Sequence, residues 1–95
     1  MQMYRYRIVN ITDKNFNVKH DFIEQIKQSH PSMSGEILYP DCLMPGTVLM
    51  LAWNDCSGKM LRTSRIEKIT GKIVSGDQYL TIITKNSIYT LEKLM

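Results

Sequence analysis

Cysteine, histidine and glycine are scarce in this 95-residue chain, and their scarcity argues against several kinds of site. The only candidate zinc ligands of the nitrogen and sulfur type are Cys42, Cys56, His20 and His30, and their spacing matches no paired-ligand motif. The five glycines form neither a Gly-x-Gly-x-x-Gly pattern nor a Walker-type loop, so nothing supports a loop that cradles phosphate. We therefore expect no metal and no cofactor.

Long apolar runs and a secretory leader pattern are also missing. No apolar run approaches the length that spans a bilayer, and the first residues lack the basic and apolar regions of a signal peptide. We expect a cytoplasmic protein with no membrane partner. Its two cysteines are then reduced thiols, with a single disulfide as the alternative in an oxidising compartment.

Groups that could catalyse a reaction are few and scattered. Ser64 and Ser87 have no adjacent histidine, and the carboxylates occur singly rather than as a pair. A chain of this length builds one domain with a modest core and no deep cleft between lobes. We expect a protein that is not an enzyme, although a site that pairs a cysteine with a histidine in three dimensions stays open.

The composition is that of a folded domain with an uneven charge. Apolar residues make up 43% and charged residues 22%, which argues against disorder. Residues 1–45 contain five basic and five acidic residues, so the whole net charge of +3 lies after Pro45. We predict a single domain over 1–95, with a strand, a helix and an irregular segment in 1–45 and a β-meander in 46–95.

Periodicity assigns the elements of the first half. Residues 4–9 alternate between apolar and basic side chains, which predicts a half-buried strand. Residues 18–29 have an apolar stripe at helical spacing, with Asn17 as the expected N-cap and Pro31 as the stop. Residues 37–39 lie between prolines and are predicted as an edge strand.

The second half is predicted to be β-rich. Residues 47–53 are apolar on both faces, which is typical of a strand covered on both sides. Residues 60–69 break their alternation, so we predict a bulge near Ser64 and Arg65. A two-residue turn at Asn86 and Ser87 would close the last hairpin. The fold class we expect is α+β, as a small antiparallel barrel or a strongly curled sheet with one short helix.

Basic and aromatic residues suggest one binding surface. Cations that track phosphates beside an aromatic ring are typical of proteins that bind single-stranded nucleic acid. A solvated face with a core tryptophan is the simpler interpretation and the one we favour. The nucleic-acid candidates are Arg62, Arg65, Lys68, Lys72, Trp53, Tyr4 and Arg5.

Apolar residues around the prolines suggest a second surface, which would contact a protein. An open sheet edge with adaptable methionine side chains suits such a contact. The alternative is that these residues cover the core. The protein-contact candidates are Ile37, Leu38, Tyr39, Leu43 and Met44.

Three short segments carry a resemblance to a known group of proteins. They are Gly46-Thr47-Val48-Leu49, Leu61-Arg62-Thr63-Ser64-x-Ile66 and Thr84-x-Asn86-Ser87-Ile88-Tyr89-x-Leu91. This half of the chain, about residues 46–95, resembles small, largely uncharacterised phage and mobile-element proteins with an SH3-like barrel. The resemblance implies an accessory protein that docks on a host protein or complex and has no catalytic residues. Nucleic-acid binding is the second hypothesis, and sequestration of a small anionic ligand between the barrel loops is a remote third.

Overall fold

The protein folds into a closed antiparallel barrel with one helix packed against it. The structure is a computed structural model that describes residues 4–73 and 77–94. Within these residues the strands are β1 Arg5–Thr12, β2 Ser34–Ile37, β3 Val48–Trp53, β4 Met60–Thr70, β5 Tyr79–Thr84 and β6 Ile88–Lys93. The helix α1 spans His20–Ser29, and a single 3-10 turn spans Pro40–Cys42. Each strand pairs with the next along the chain, and β6 pairs with β1 to close the barrel.

The barrel uses both halves of the chain, so residues 46–95 do not close a barrel by themselves. Residues 46–95 supply only β3 to β6, and β1 and β2 complete the wall. The segment predicted as irregular contains β2, which is not an edge strand. Its Gly35 pairs with Tyr6 of β1 on one side and with Trp53 of β3 on the other. The small antiparallel barrel itself is confirmed.

Glycine at position 35 is what allows β2 to lie so close to β3. A Cβ atom there would lie 2.3 Å from the carbonyl oxygen of Ala52. No side chain fits at that distance, because the opposing atom belongs to the backbone and cannot rotate away.

The barrel interior is filled by side chains that alternate along the strands. Because successive side chains of a strand point to opposite faces, each strand contributes every second residue to the core. Burying one such large aliphatic side chain stabilises the fold by about 1.5–3 kcal/mol. The fully buried apolar side chains are Tyr6, Ile11, Ile37, Leu49, Leu51, Leu80, Ile82 and Leu91.

Helix α1 covers part of the core with the predicted apolar stripe. Ile26 is buried, and Phe22 and Ile23 are half-buried against the core. The predicted N-cap is wrong, because Lys19 is the N-cap and no side chain caps the helix. Asn17 lies in the preceding turn, where its backbone N–H donates to Asp13 Oδ1 (3.0 Å). At ten residues, α1 is too short to cross a membrane, and no other helix in the described ranges could do so.

The predicted bulge in β4 is confirmed, and the Thr63 hydroxyl holds it. The pairing of β3 with β4 shifts register between Val48 and Met50, which lie opposite this part of β4. The buried hydroxyl of Thr63 accepts a hydrogen bond from the Leu49 N–H (3.0 Å) and donates one to the Ser64 carbonyl (2.8 Å). The side chain thereby replaces a ladder bond that the bulge interrupts.

The β5–β6 hairpin turns at residues 85 and 86, one position before the predicted turn. Ile82 pairs with Tyr89, so the register differs by two residues from the predicted one. A shift of two leaves the same side chains facing the core. The Thr84 hydroxyl sets the turn: it accepts from the Ser87 N–H (3.1 Å) and donates to the Ser87 carbonyl (3.0 Å).

Candidate functional site

A cleft lies on the outer face of β3, where the chain covers that face incompletely. The sequence predicts cover on both faces, but only the inner face is fully buried, and Val48 and Met50 on the outer face are half-buried. The connection from β2 to β3, residues 38–47, folds over part of this face. It leaves a cleft of about 360 Å³. We call it the Tyr39 cleft, and it is lined by Leu38, Tyr39, Cys42, Thr47, Val48 and Met50.

Hydrogen bonds fix the shape of the 38–47 connection. The Thr47 hydroxyl lies 2.9 Å from the Cys42 carbonyl and 2.7 Å from the Met44 carbonyl, and can donate to either. The Leu38 N–H donates to the Met50 carbonyl at 3.0 Å, which ties the start of the connection to β3. The cleft is therefore built into the fold.

Tyr39 has an unusual backbone for an exposed aromatic residue. Its φ of 52° and ψ of 55° place it in the left-handed region just before the 3-10 turn. Its side chain is 67% exposed. A side chain with a Cβ in that region costs roughly 1–2 kcal/mol, and such strain is concentrated at functional sites.

Some of the predicted protein-contact residues are accessible at the surface, and others are buried. Leu38 and Tyr39 line the Tyr39 cleft, and Met44 is exposed. Ile37 is only 2% exposed and pairs with Leu51 inside the barrel wall, so the prediction that it contacts a partner is wrong. Leu43 is half-buried against the core.

A second cleft of about 330 Å³ lies on the other side of the same connection. Met44 and Leu43 line it together with Lys72, one of the predicted basic residues. The connection thus separates two largely apolar clefts.

Two of the predicted basic residues border the Tyr39 cleft. Arg65 lies directly opposite Val48, and Arg62 lies directly opposite Met50. Residues opposite each other in an antiparallel pair share a face, with Cβ atoms about 4.5–5.5 Å apart. Both arginines are exposed, and one guanidinium N–H of Arg65 donates to the Gly46 carbonyl (2.8 Å).

The other nucleic-acid candidates do not join them. Trp53 is 8% exposed, and its ring stacks on His30 with centroids 4.5 Å apart, so the prediction of an exposed stacking platform is wrong. The alternation of β3 explains this, because Trp53 shares the inner face with Leu49. Tyr4 and Arg5 lie at the start of β1, which is three strands from β4 in either direction around the barrel. Lys68 is exposed further along β4, opposite Ile83 of β5.

A histidine–aspartate pair that the sequence does not reveal joins the end of α1 to the β3–β4 loop. His30 is buried, and its Nδ1 contacts the Asp55 carboxylate. Hydrogen bonds from Ser57 and from His30 lower the pKa of Asp55 to about 2. The partners are 25 residues apart, so no local pattern could have linked them.

The other residues considered as ligands or nucleophiles are dispersed. Cys42 and Cys56 are both exposed free thiols, the first in the Tyr39 cleft and the second in the β3–β4 loop. Across residues 4–73 and 77–94 no three side chains of the His, Cys, Asp or Glu type are grouped to hold a metal ion.

Comparisons with family models, with curated proteins and with solved structures find no match to this chain. The resemblance to phage and mobile-element proteins, and the SH3-like type of the barrel, therefore stay predictions.

Proposed function

We propose that this chain is a non-enzymatic binding protein that docks on a partner protein through the Tyr39 cleft. The observation that carries the proposal is the incomplete cover of β3. Its sequence is apolar on both faces, yet the chain leaves Val48 and Met50 at the floor of an open cleft. Contact with a partner would bury the apolar surface that folding leaves exposed.

The rigidity of the cleft supports this proposal. Binding is weakened by the entropy lost when loops and side chains become ordered, and a preformed surface loses less. Backbone and Thr47 hydrogen bonds already order the 38–47 connection. Tyrosine is also enriched at protein interfaces, where its ring adds contact area with few rotatable bonds.

The resemblance of residues 46–95 extends the proposal to a biological setting. We propose an accessory factor encoded by a phage or mobile element, which acts by docking on a host protein or complex. The segments that carry the resemblance include the Thr63 bulge and the Thr84 turn, which build the barrel. The docking cleft combines Leu38, Tyr39 and Cys42, which precede these segments, with residues 47, 48 and 50 of the resembling half.

Two thiols allow the proposal to be tested within one molecule. Cys42 lines the cleft and Cys56 lies in the hairpin loop at the other end of β3, and both are exposed. We expect an extract of the source cells to slow alkylation of Cys42 by iodoacetamide and to leave Cys56 unchanged, with mass spectrometry as the readout. If the extract leaves the alkylation rate of Cys42 unchanged, docking at the cleft is contradicted.

A matched pair of variants makes that test specific. Tyr39→Asn removes the ring and keeps a residue that tolerates the left-handed region. Phe16→Asn is the control, because Phe16 is also an exposed aromatic with a positive φ (66°) but lies in the turn before α1. We expect Tyr39→Asn to abolish the protection of Cys42 and Phe16→Asn to preserve it.

Nucleic-acid binding is the second candidate function. The observation that favours it is that Arg62, Arg65 and Lys68 are all exposed on β4. Retention of single-stranded DNA and RNA at two salt concentrations tests it, because phosphate contacts weaken as salt rises. Absence of binding at low salt, or no loss in an Arg62→Ala, Arg65→Ala variant, would exclude it.

A further inference from the structure

The border of the Tyr39 cleft has a charge that defines the kind of partner it fits. Arg62 and Arg65 lie on the same outer face as Met50 and Val48, one strand away from the cleft floor. The 38–47 connection itself contains one carboxylate, Asp41, and no basic residue. The side toward β4 is therefore cationic, and the floor is apolar.

The guanidinium groups of Arg62 and Arg65 have N–H donors that could bind a partner. A guanidinium has five N–H donors. Arg65 uses one on the Gly46 carbonyl, which holds its side chain toward the connection. Among the described residues, the basic side chains within ion-pair distance of a carboxylate are Arg7 and Lys14, together with the His30 ring, so neither cleft arginine has a carboxylate partner there.

We infer that the partner presents an acidic segment in which one apolar side chain enters the Tyr39 cleft and a neighbouring carboxylate pairs with Arg62 or Arg65. This inference rests on the proposed function and names the partner's chemistry. Arginine binds a carboxylate through two parallel hydrogen bonds, so two arginines beside an apolar floor recognise that combination. A volume of about 360 Å³ is near the lower end of typical ligand pockets (~300–1,000 Å³), which suits one or two side chains.

An acidic peptide fits this border better than a nucleic-acid strand does. A strand requires cations along a continuous track and exposed rings for its bases. Trp53 is buried, and Arg5 lies on the opposite side of the barrel from Arg62. The cleft instead combines a short cationic edge with a concave apolar floor.

Selection from a displayed library of random linear peptides tests the inference with the whole chain as bait. We expect wild-type protein to enrich peptides with one large apolar residue flanked by Asp or Glu. The Arg62→Gln, Arg65→Gln variant should enrich apolar peptides without the acidic flanks. Tyr39→Asn should enrich neither group. The thermal unfolding midpoint of each variant confirms that the barrel is intact.

A synthesised copy of the best wild-type peptide gives the quantitative result. Fluorescence anisotropy should show roughly ten-fold weaker binding to Arg62→Gln, Arg65→Gln and a smaller salt dependence. Lys27→Gln is the control, because it removes one positive charge from an exposed position on α1 and should leave the affinity unchanged. If loss of the Arg65 bond to Gly46 disturbs the fold of the double variant, Arg62→Gln alone tests the contact with the peptide carboxylate, because it keeps that bond.

Each other outcome is decisive. Enriched peptides that depend on Tyr39 but show no acidic preference would overturn this inference and leave the docking function standing. Displacement of the acidic peptide by single-stranded DNA, with loss of DNA binding in the double glutamine variant, would also overturn it in favour of nucleic acid. Enrichment of no peptide by wild-type protein over Tyr39→Asn would count against both proposals.

Discussion

Replacing Thr63 by valine tests whether a side-chain hydroxyl holds the bulge in β4. Valine has nearly the same shape as threonine, but it can neither accept nor donate a hydrogen bond. The change removes the bond from the Leu49 N–H (3.0 Å) and the bond to the Ser64 carbonyl (2.8 Å). Leu49 is fully buried, so water cannot easily replace the lost partner of its N–H.

The expected loss follows from those two bonds. A buried N–H left without a partner costs about 1–3 kcal/mol, and the Ser64 carbonyl loses a further neutral bond. We expect Thr63→Val to lower the free energy of unfolding by about 2–3 kcal/mol. For a domain of this size that lowers the melting temperature by roughly 8–24 °C.

Urea unfolding monitored by circular dichroism measures this change, and two control variants isolate the hydroxyl. Thr63→Ser keeps both bonds and should lose only about 1 kcal/mol, for one buried methyl group. Thr70→Val makes the same substitution at an exposed position of the same strand, where the effect should stay within about 0.5 kcal/mol. If Thr63→Val differs from wild type by less than about 0.5 kcal/mol at an unchanged m-value, the hydroxyl does not hold the bulge.

Three further changes test other parts of the structure. Gly35→Ala should lower the free energy of unfolding by about 3 kcal/mol or more in urea, because its Cβ would meet the Ala52 carbonyl oxygen at 2.3 Å; a neutral effect would contradict this packing. Asp55→Asn should destabilise the protein at pH 7. Because hydrogen bonds from Ser57 and His30 lower the pKa of Asp55 to about 2, the difference should shrink as pH falls from about 4 through 2, and a difference that does not shrink over this range would refute stabilisation by the Asp55 carboxylate. Tyr39→Asn should leave the unfolding free energy unchanged or raise it by up to about 1 kcal/mol, and a clear loss would show that the ring supports the fold.

Local patterns predicted the wall of the barrel well. The alternation of residues 4–9 and the broken alternation of 60–69 gave β1 and the bulge, because side chains on a strand face opposite sides regardless of the partner strand. The hairpin register was wrong by two residues, yet its core face was right for the same reason. The predicted strand at 37–39 begins three residues after the observed start of β2, since Ser34 and Gly35 lack the β-branched side chains that mark a strand.

The candidate site depended on pairings that no local pattern contains. The sequence suggested Tyr39 and Leu38 for protein contact and Arg62 and Arg65 for phosphate, as two separate hypotheses. The register of β3 with β4 places the two arginines beside Met50 and Val48, so both sets border one cleft. The apolar pattern of 47–53 is the signal for the cleft floor, although by itself it predicts a strand buried on both faces.

The backbone conformation of Tyr39 is unfavourable for folding, which suggests that the tyrosine is there for binding. Its left-handed conformation is one that asparagine or glycine adopts more easily, so the tyrosine is not the most stabilising choice at this position. Because the residue is 67% exposed, burial recovers little of that cost in the free protein. Docking of a partner would explain why a strained tyrosine occupies this position, because its ring would then contribute contact area. Phe16 also has a positive φ, but it lies in a turn fixed by hydrogen bonds to Asp13 and does not line the Tyr39 cleft, which is why Phe16→Asn is the sharpest control for the docking function.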